Sequence, residues 1–449
     1  MNRRHFVKQT GIGALGLSII PSGILFGKDK EIVKLGYIGV GLRGRTHIRE
    51  GLLRDDVEIV AICDIQESSL KLCREQFIKA GKKLPKEYTG SLDAYKKLLE
   101  RKDIDGVIIS TPWKFHRDQA VDAMKAGKYV GCEVLAGLTV EEHWDVVNVS
   151  EQTKMPYMTL ENVCYRRDVL AVLNMVRQGV FGELVHLEGG YQHDLRDVLF
   201  NDGKHFYGHG VEFGPDKSIG EAQWRTQYNI DVDGDIYPTH GLGPLMNYAD
   251  INRGNRLVNM VSFSSKARGL ADYVNKKSQG HPNSKLNYKN GDIVTTQINC
   301  ANGETMLITH DTHLPRPYSI GFRVQGTNGL WMDVAESIHI EGVSKPHKWD
   351  PINEWIAKYD HPLWEKYEKE AVGAGHGGMD WFVFNAFVQS IKQKRQTPID
   401  VYDSVTMSVI LPLSVKSIAE GNTVQEIPDF TRGKWKSRKN TFALDDSGF

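Results

Sequence analysis

Cysteine is scarce. The 449-residue chain holds five, Cys63, Cys73, Cys132, Cys164 and Cys300, with no C-x-x-C among them. An odd, scattered set argues against a disulfide framework and against a zinc site. Several lie in or beside apolar runs, where a thiol packs as a small core residue. An excess of charge is also missing: 56 basic residues balance 56 acidic ones. Nothing in that balance draws the protein to nucleic acid or to an anionic membrane surface. Past the N-terminal leader no apolar run approaches the about 20 residues of a membrane span. There is no internal repeat. The histidines form no metal-binding pattern: His310 and His313, three residues apart on an expected strand, should point to opposite faces.

What is present begins with punctuation. Lys34 to Ile38 reads as an apolar strand that breaks into Gly39-x-Gly41-x-x-Gly44. A helix is expected from Arg45 to Leu53, then a strand Val57 to Cys63 ending on Asp64. Gly39 permits the tight turn, Gly41 lets the backbone approach a pyrophosphate, and Gly44 lets helix and strand pack closely. Free N–H groups at the helix start suit phosphates. Asp64 lies about 20 residues beyond Gly44, where a carboxylate accepts from ribose hydroxyls. Glycines alone mark ordinary turns. With both strands and the acid in place the stretch points to a dinucleotide, and the acid favours NAD over NADP.

The alternation continues. Helices are expected over Glu67–Ala80, Leu92–Glu100, Asp118–Ala126 and Val140–Lys154, and strands over Asp105–Ser110, Lys128–Cys132 and Pro156–Leu160. Alternating strands and helices imply a parallel sheet with ligands at the strands' carboxyl ends. Thr111 to His116, Glu133 to Ala136 and Glu161-Asn162 fall at such ends. Asn162 is open between two roles, a cap for a helix from Tyr165 and a part of the site.

From Asp168 the pattern changes. After a helix to Gln178, strands are expected over Val185–Tyr191, Val258–Ser264, Ile293–Cys300, Thr305–Thr312, Ser319–Gln325 and Leu330–Ile340. Few helical runs lie between them, which implies a largely antiparallel sheet. Its open face suits self-association. Helices return over Asp380–Lys394 and Asp403–Gly421. The fold class is α/β: a parallel-sheet domain over 31–160 and an α+β domain over 161–449. Two long polar insertions, 192–222 and 346–378, read as binding loops. Trp349, Trp355 and Trp364 in the second suit either sugar stacking or loop packing. His240 stands at the start of a helical segment, facing a loop; it is either a satisfied cap or core histidine or a group poised for proton transfer. Tyr191 and Tyr318 are weaker candidates.

The first residues, Met1-Asn2-Arg3-Arg4-His5-Phe6-Val7-Lys8, precede a mildly apolar run to Phe26. They read as a twin-arginine export signal over 1–30, with a periplasmic or otherwise exported destination. A basic N-terminal arm is the alternative.

Together these motifs resemble a known family. The glycine loop, the Thr-Pro…His segment, Glu133-Val134 and the His240 helix look like the Gfo/Idh/MocA oxidoreductase superfamily, whose first domain is of the Rossmann type. Most of that superfamily has Glu-Lys-Pro where this chain has Glu133-Val134-Leu135. The missing lysine argues against a simple alcohol dehydrogenase. The twin-arginine start, Trp113-Lys114-Phe115-His116, Tyr237-Pro238-Thr239-His240 and Gly375-His376-Gly377-Gly378-Met379-Asp380 resemble glycoside hydrolase family 109, the NAD-dependent α-N-acetylgalactosaminidases. Leu135-Ala136 departs from the proline expected after Glu-Val.

The resemblance implies a glycan substrate ending in an amino sugar, and NAD as cofactor. It implies oxidation at C3, loss of the C2 proton, elimination of the glycosidic oxygen, addition of water and re-reduction, with some tolerance of linkage. By similarity Leu42, Arg43, Asp64, Trp113, Lys114, Phe115, His116, Glu133, Val134 and Asn162 contact NAD. Tyr191, Arg225, Tyr237, Pro238, Thr239, His240 and Tyr318 contact the sugar. His240 is then the proton-transfer residue at C3 and Tyr191 an acid/base at C2. Two alternatives stay open: a periplasmic NAD-dependent sugar dehydrogenase of the same superfamily, and a non-catalytic sugar-binding protein.

Overall fold

The structure, a computed structural model, describes residues 31–445 and 447. The export signal expected over 1–30 lies outside the described residues. The described residues from Ile32 onward form one compact unit.

Its first layer is a six-stranded sheet in the order β3-β2-β1-β4-β5-β6, built from β1 (Val33–Ile38), β2 (Val57–Cys63), β3 (Lys86–Tyr88), β4 (Gly106–Ile109), β5 (Tyr129–Cys132) and β6 (Tyr157–Thr159). Every pairing is parallel. Helices α1 (Leu42–Leu52), α2 (Glu67–Lys79), α3 (Ala94–Leu99), α4 (His116–Lys125) and α5 (Val140–Thr153) link the strands. All four residues of β4 are buried, as a strand covered on both faces requires. The sheet order reverses between β1 and β4, and the crevice at that switch point is where such sheets hold ligands. The expected elements are there with displaced ends. α1 starts at Leu42 rather than Arg45, α4 at His116 rather than Asp118, and β3, between α2 and α3, is a short strand that was not expected.

The second layer is a nine-stranded sheet, ordered β14-β13-β12-β11-β7-β10-β9-β8-β15. After α6 (Arg167–Arg177) come β7 (Leu184–Gln192), α7 (Arg196–Leu199), α8 (Arg225–Asp231), α9 (Thr239–Tyr248), β8 (Leu257–Ser264), α10 (Gly269–Lys277), β9 (Ile293–Cys300), β10 (Thr305–Asp311), β11 (Arg323–Gly326), β12 (Gly329–Met332), β13 (Ser337–Ile340) and β14 (Asp350–Pro351). Then follow α11 (Ile352–Tyr359), α12 (Pro362–Ala371), α13 (Met379–Lys392), α14 (Val401–Ser408), α15 (Ile410–Ala419) and β15 (Gln425–Glu426). Its pairings are antiparallel except β7 with β10. α13 returns to the first sheet and packs on α1 and β1, and the main apolar core takes in residues of both sheets.

Several expectations need correction. The strand expected from Ser319 begins at Arg323, Ser319 contributing only an isolated bridge to Gln192. The strand expected over Leu330–Ile340 is the hairpin β12–β13. The helix expected from Asp403 to Gly421 is two, α14 and α15, with Pro412 in the first turn of α15, where its missing N–H costs nothing. The insertion over 346–378 is no open loop: α11 and α12 occupy its middle, and Pro362 opens α12. Trp355 and Trp364 are buried there and Trp364 Nε1 donates to the Tyr165 carbonyl, so these two rings pack rather than face a sugar. β10 ends at Asp311, so His310 and His313 do not alternate across a strand; their rings lie 5.7 Å apart, both buried.

Candidate active site

The carboxyl ends of the parallel strands open into one cavity of about 660 Å³, lined from Gly39, Gly41 and Asp64 on one side to Tyr191, Tyr237 and His240 on the other. Gly39 has φ +87, which a side chain rarely adopts, and its N–H donates to the Cys63 carbonyl. A Cβ on Gly44 would lie 2.1 Å from the Gly39 carbonyl oxygen, so turn and helix meet only because that residue is glycine. Gly41 faces open space in the cavity. α1 begins there without a side-chain cap or an acidic residue in its first turn, leaving its N–H groups for an anion. Asp64 uses both oxygens to accept backbone N–H groups, from Val40 and Gln66 at 2.8 Å each. It thus braces the glycine loop while lining the cavity, and burial pushes its carboxyl upward. An uncapped helix start, an open Cα and an acid at the end of β2 fit a dinucleotide.

Arg43 anchors the next stretch. Its Nε donates to Glu133 at 2.7 Å, and its two terminal nitrogens donate to the Asp380 oxygens at 3.0 Å each. His47 Nε2 lies 2.6 Å from the same Glu133 oxygen. Asn162 Nδ2 donates to Asp380 at 2.8 Å, and His376 Nδ1 sits 2.8 Å from Asp380 Oδ2. Of the two roles open to Asn162, the cap is therefore not the one it plays: Glu161 accepts from the Val163 N–H instead, and α6 starts at Arg167. Burial alone would raise the Glu133 carboxyl, but Arg43 and His47 overcome it and hold it at about 2. Against burial, Arg43 first and His376 next hold Asp380 lower still.

A carboxyl depressed in the fold stabilises it above the unfolded value, and the contribution is lost as pH falls through the folded one. Unfolding free energy is thus expected to hold down to about pH 4.5, the ordinary glutamate value, and then to fall toward about pH 2. Denaturant titrations across that range read it directly. A profile unchanged by Glu133→Gln would show that the ion pairs contribute nothing.

The second wall is aromatic. Tyr191, Tyr237 and His240 meet with ring centroids 4.7 to 4.8 Å apart. Arg225 stacks 4.8 Å over Tyr237 and 5.4 Å over Trp113, and donates to Glu221 at 2.6 Å. His240 Nδ1 lies 2.7 Å from Oε1 of the fully buried Glu161. A carboxylate at that distance fixes the proton on Nδ1 and leaves Nε2 as an acceptor toward the cavity. The Tyr191 hydroxyl meets His193 Nδ1 at 3.3 Å, and burial pushes the Tyr191 hydroxyl well up.

Of the residues anticipated from sequence, Gly39, Gly41, Leu42, Arg43, Asp64, Trp113, Phe115, His116, Glu133, Val134, Asn162, Tyr191, Arg225, Tyr237 and His240 line this cavity. Gly44, Lys114, Pro238, Thr239 and Tyr318 do not. Lys114 is exposed, its ammonium over the Phe115 ring, and Pro238 and Thr239 are buried at the start of α9. Tyr318 is half-exposed, and its ring meets that of His193 at 5.0 Å. His116 lines the wall but is spent on the fold, its nitrogens 2.6 and 2.7 Å from the Thr111 and Leu135 carbonyls. His47, Asp380 and the Glu161–His240 pairing were not anticipated. Asp380 stood in the glycine-rich motif, but nothing local tied it to Arg43.

Comparison with known proteins gives the family. Residues 165–437 match the family described as glycosyl hydrolase 109, C-terminal domain, and residues 33–160 match an oxidoreductase family with an NAD-binding Rossmann fold. A glycosyl hydrolase family 109 protein of Stenotrophomonas maltophilia is 53% identical, the match covering 99% of each chain. An alpha-N-acetylgalactosaminidase of Tannerella forsythia is 48% identical, covering 98% of this chain and 99% of that one. Among solved structures, a levoglucosan dehydrogenase in complex with NADH shares the fold at a TM-score of 0.64 with 18% identity, over 88% of this chain and 99% of that one. The chain belongs to glycosyl hydrolase family 109 and is an NAD-dependent glycoside hydrolase.

Proposed function

We propose that the protein removes terminal α-N-acetylgalactosamine by reversible oxidation at C3, loss of the C2 proton, elimination of the glycosidic oxygen, addition of water and re-reduction. The names of relatives from Tannerella forsythia and Shewanella oneidensis, both alpha-N-acetylgalactosaminidases, support the sugar. The observation that carries the chemistry is the Glu161–His240 pair, set in the same cavity as the glycine loop. The two-carboxylate route needs a free acid and a free base flanking the bond. The acidic side chains on this wall, Asp64, Glu133 and Glu221, are each committed to backbone N–H groups or to cations.

Bound NAD supplies a reversible two-electron oxidation at the sugar carbon. His240 Nε2 takes the C3 hydroxyl proton, and Glu161 steadies the ring that then carries charge. Tyr191, packed on His240, exchanges the proton at C2, which a neighbouring ketone makes acidic. Arg225, Tyr237 and Trp113 form a wall against which the sugar is oriented.

With an aryl α-N-acetylgalactosaminide in D₂O, the released sugar is expected to carry deuterium at C2, and removal of NAD is expected to stop release. Release without deuterium, or undiminished release by the NAD-free protein, would sink the scheme. Net NADH formation without cleavage would assign the protein to the sugar dehydrogenases instead.

A further inference from the structure

A tyrosine is a poor base at neutral pH. At the ordinary phenol value of about 10, about one hydroxyl in a thousand is ionised at pH 7. Burial pushes the Tyr191 hydroxyl well above that value. Yet Tyr191 is the group that exchanges the proton at C2. To take that proton it must pass its own to an acceptor.

The strand that carries Tyr191 supplies one. Side chains alternate along a strand, so residues two apart share a face. β7 closes on Gln192, and His193 follows Tyr191 in the same alternation. The Tyr191 hydroxyl accordingly meets His193 Nδ1 at 3.3 Å. The three residues are held in place from one side by the end of β10. The His193 N–H donates to the Asp311 carbonyl at 2.9 Å. Arg316 donates to the Gln192 side chain at 2.8 Å and to the Ser319 hydroxyl at 3.0 Å, and pairs with Asp311. The segment fixed in this way carries Tyr318, whose ring meets the His193 ring edge-on at 5.0 Å. From the other side, a Cβ at Gly241 would lie 2.4 Å from the Gly190 nitrogen, so α9 sits directly on β7 and keeps Tyr191 against His240.

His193 is not among the residues that line the cavity, so it faces the sugar through Tyr191. Around its ring stand Tyr318, Asp194, Arg225 of α8, His240 of α9 and His376. Asp194 favours a charged ring; Arg225, His240 and His376 oppose it. Burial first, and then Arg225, push the imidazole toward the neutral form, in which a ring nitrogen can accept a proton.

We propose that His193 is the proton partner of Tyr191, taking the hydroxyl proton as Tyr191 takes the one from C2 and returning it when C2 is reprotonated. It touches no substrate atom and is a positioning residue. The role rests on the elimination scheme above. In the first half the C2–H electron pair forms the C1–C2 double bond, and the C1–O bond breaks toward oxygen. The C2 proton goes to the Tyr191 oxygen while the tyrosine's own proton passes to His193 Nδ1, so no free phenolate forms. In the second half water oxygen bonds to C1 and releases a proton to solvent. C2 takes the proton on Tyr191, and the imidazolium gives its proton back to the tyrosine. Both side chains end as they began.

The test follows 4-nitrophenyl α-N-acetylgalactosaminide, with hydrogen or deuterium at C2, on the holoenzyme with NAD at saturation, from about pH 6.5 to 9.5. His193→Asn suits it: the amide oxygen can accept a hydrogen bond from the Tyr191 hydroxyl but cannot take its proton. At pH 7 kcat is expected to fall by about 10² or more, with a larger deuterium isotope effect than in the parent. Oxidation at C3, read as transient NADH, should persist. The variant's rate should then climb about tenfold per pH unit, because its Tyr191 acts only as phenolate, whose share grows tenfold per unit below its pKa. The parent's rate should level off over the same range. A variant profile parallel to the parent's, lowered by one constant factor, would mean that His193 merely shapes the site, and it overturns the role. So does an undiminished rate, or loss of transient NADH. Exchange at C2 by the parent in D₂O separates the two readings. If the parent exchanges and the variant's profile runs parallel, His193 alone fails. If the parent does not exchange, the elimination scheme fails and the role of His193 with it.

Discussion

His240→Asn is expected to lower turnover about 10³–10⁴-fold on aryl and alkyl glycosides alike, with bound NAD retained. Asparagine keeps a donor near the position of Nδ1, so the buried Glu161 is not left without its partner, and it removes Nε2, the atom that faces the sugar. The loss should sit at the upper end of what one acid–base group contributes, because the same nitrogen is used twice. It takes the C3 proton at the start and gives one back at the end. Oxidation at C3 also precedes every other step, so C2 exchange should vanish with cleavage. A single-turnover experiment reads it as the absence of transient NADH absorbance. Transient NADH formed at the parental rate would remove His240 from the oxidation step.

Much of this site is local in sequence and could be read there. The glycine turn, β2 and Asp64 lie within one strand–turn–helix–strand unit, and the spacing of that unit is set by the ligand it grips. Strand ends were legible for the same reason: Thr111, Glu133 and Glu161 each follow a short apolar run. Long-range pairings were not. Arg43 meets Glu133 and Asp380 across the chain, and no periodicity encodes which carboxylate an arginine will find. Glu161 was visible as a strand end but not as the partner of His240, because that contact depends on how α9 docks against the parallel sheet.

The insertion over 346–378 failed for a different reason, since its signal was there to be read. Ile352, Trp355, Ile356 and Tyr359 stand at helical spacing, and Trp355 packs inward while the stretch as a whole is polar. Pro362 reads as a breaker in mid-segment but occupies the first turn of α12, where proline is favoured, with the His361 side chain accepting from the Leu363 N–H. Trp349 is exposed, while the other two aromatics that suggested sugar stacking, Trp355 and Trp364, hold these two helices to the core. They fix the approach to Gly375 and so the position of His376. The sugar-facing rings come from shorter stretches: Tyr191 ends a strand, and Trp113 and Tyr237 each precede a helix.

Asp380→Asn is expected to cost about 3 kcal/mol of stability and to loosen the hold on NAD at the same time. The side chain is fully buried and is shared by Arg43, Asn162 and His376. Asparagine fills the same volume but presents an amide nitrogen where one of three donors now points, and it removes the charge that offsets a mostly buried guanidinium. Breaking such a pair by changing one partner leaves the other charge uncompensated, which is why the cost exceeds that of a surface ion pair. Arg43 keeps Glu133, so the effect should fall at the lower end for a broken buried pair. Arg43 also lines the cavity beside Gly41 and Leu42, and a guanidinium released from Asp380 no longer fixes the start of α1 against α13. The variant should therefore melt lower both with and without NAD, and should shed NAD faster on dialysis than the parent. If the melting temperature falls while NAD retention is unchanged, Asp380 serves the fold alone. If neither changes, the network is not the joint between the glycine loop and α13 that its geometry describes.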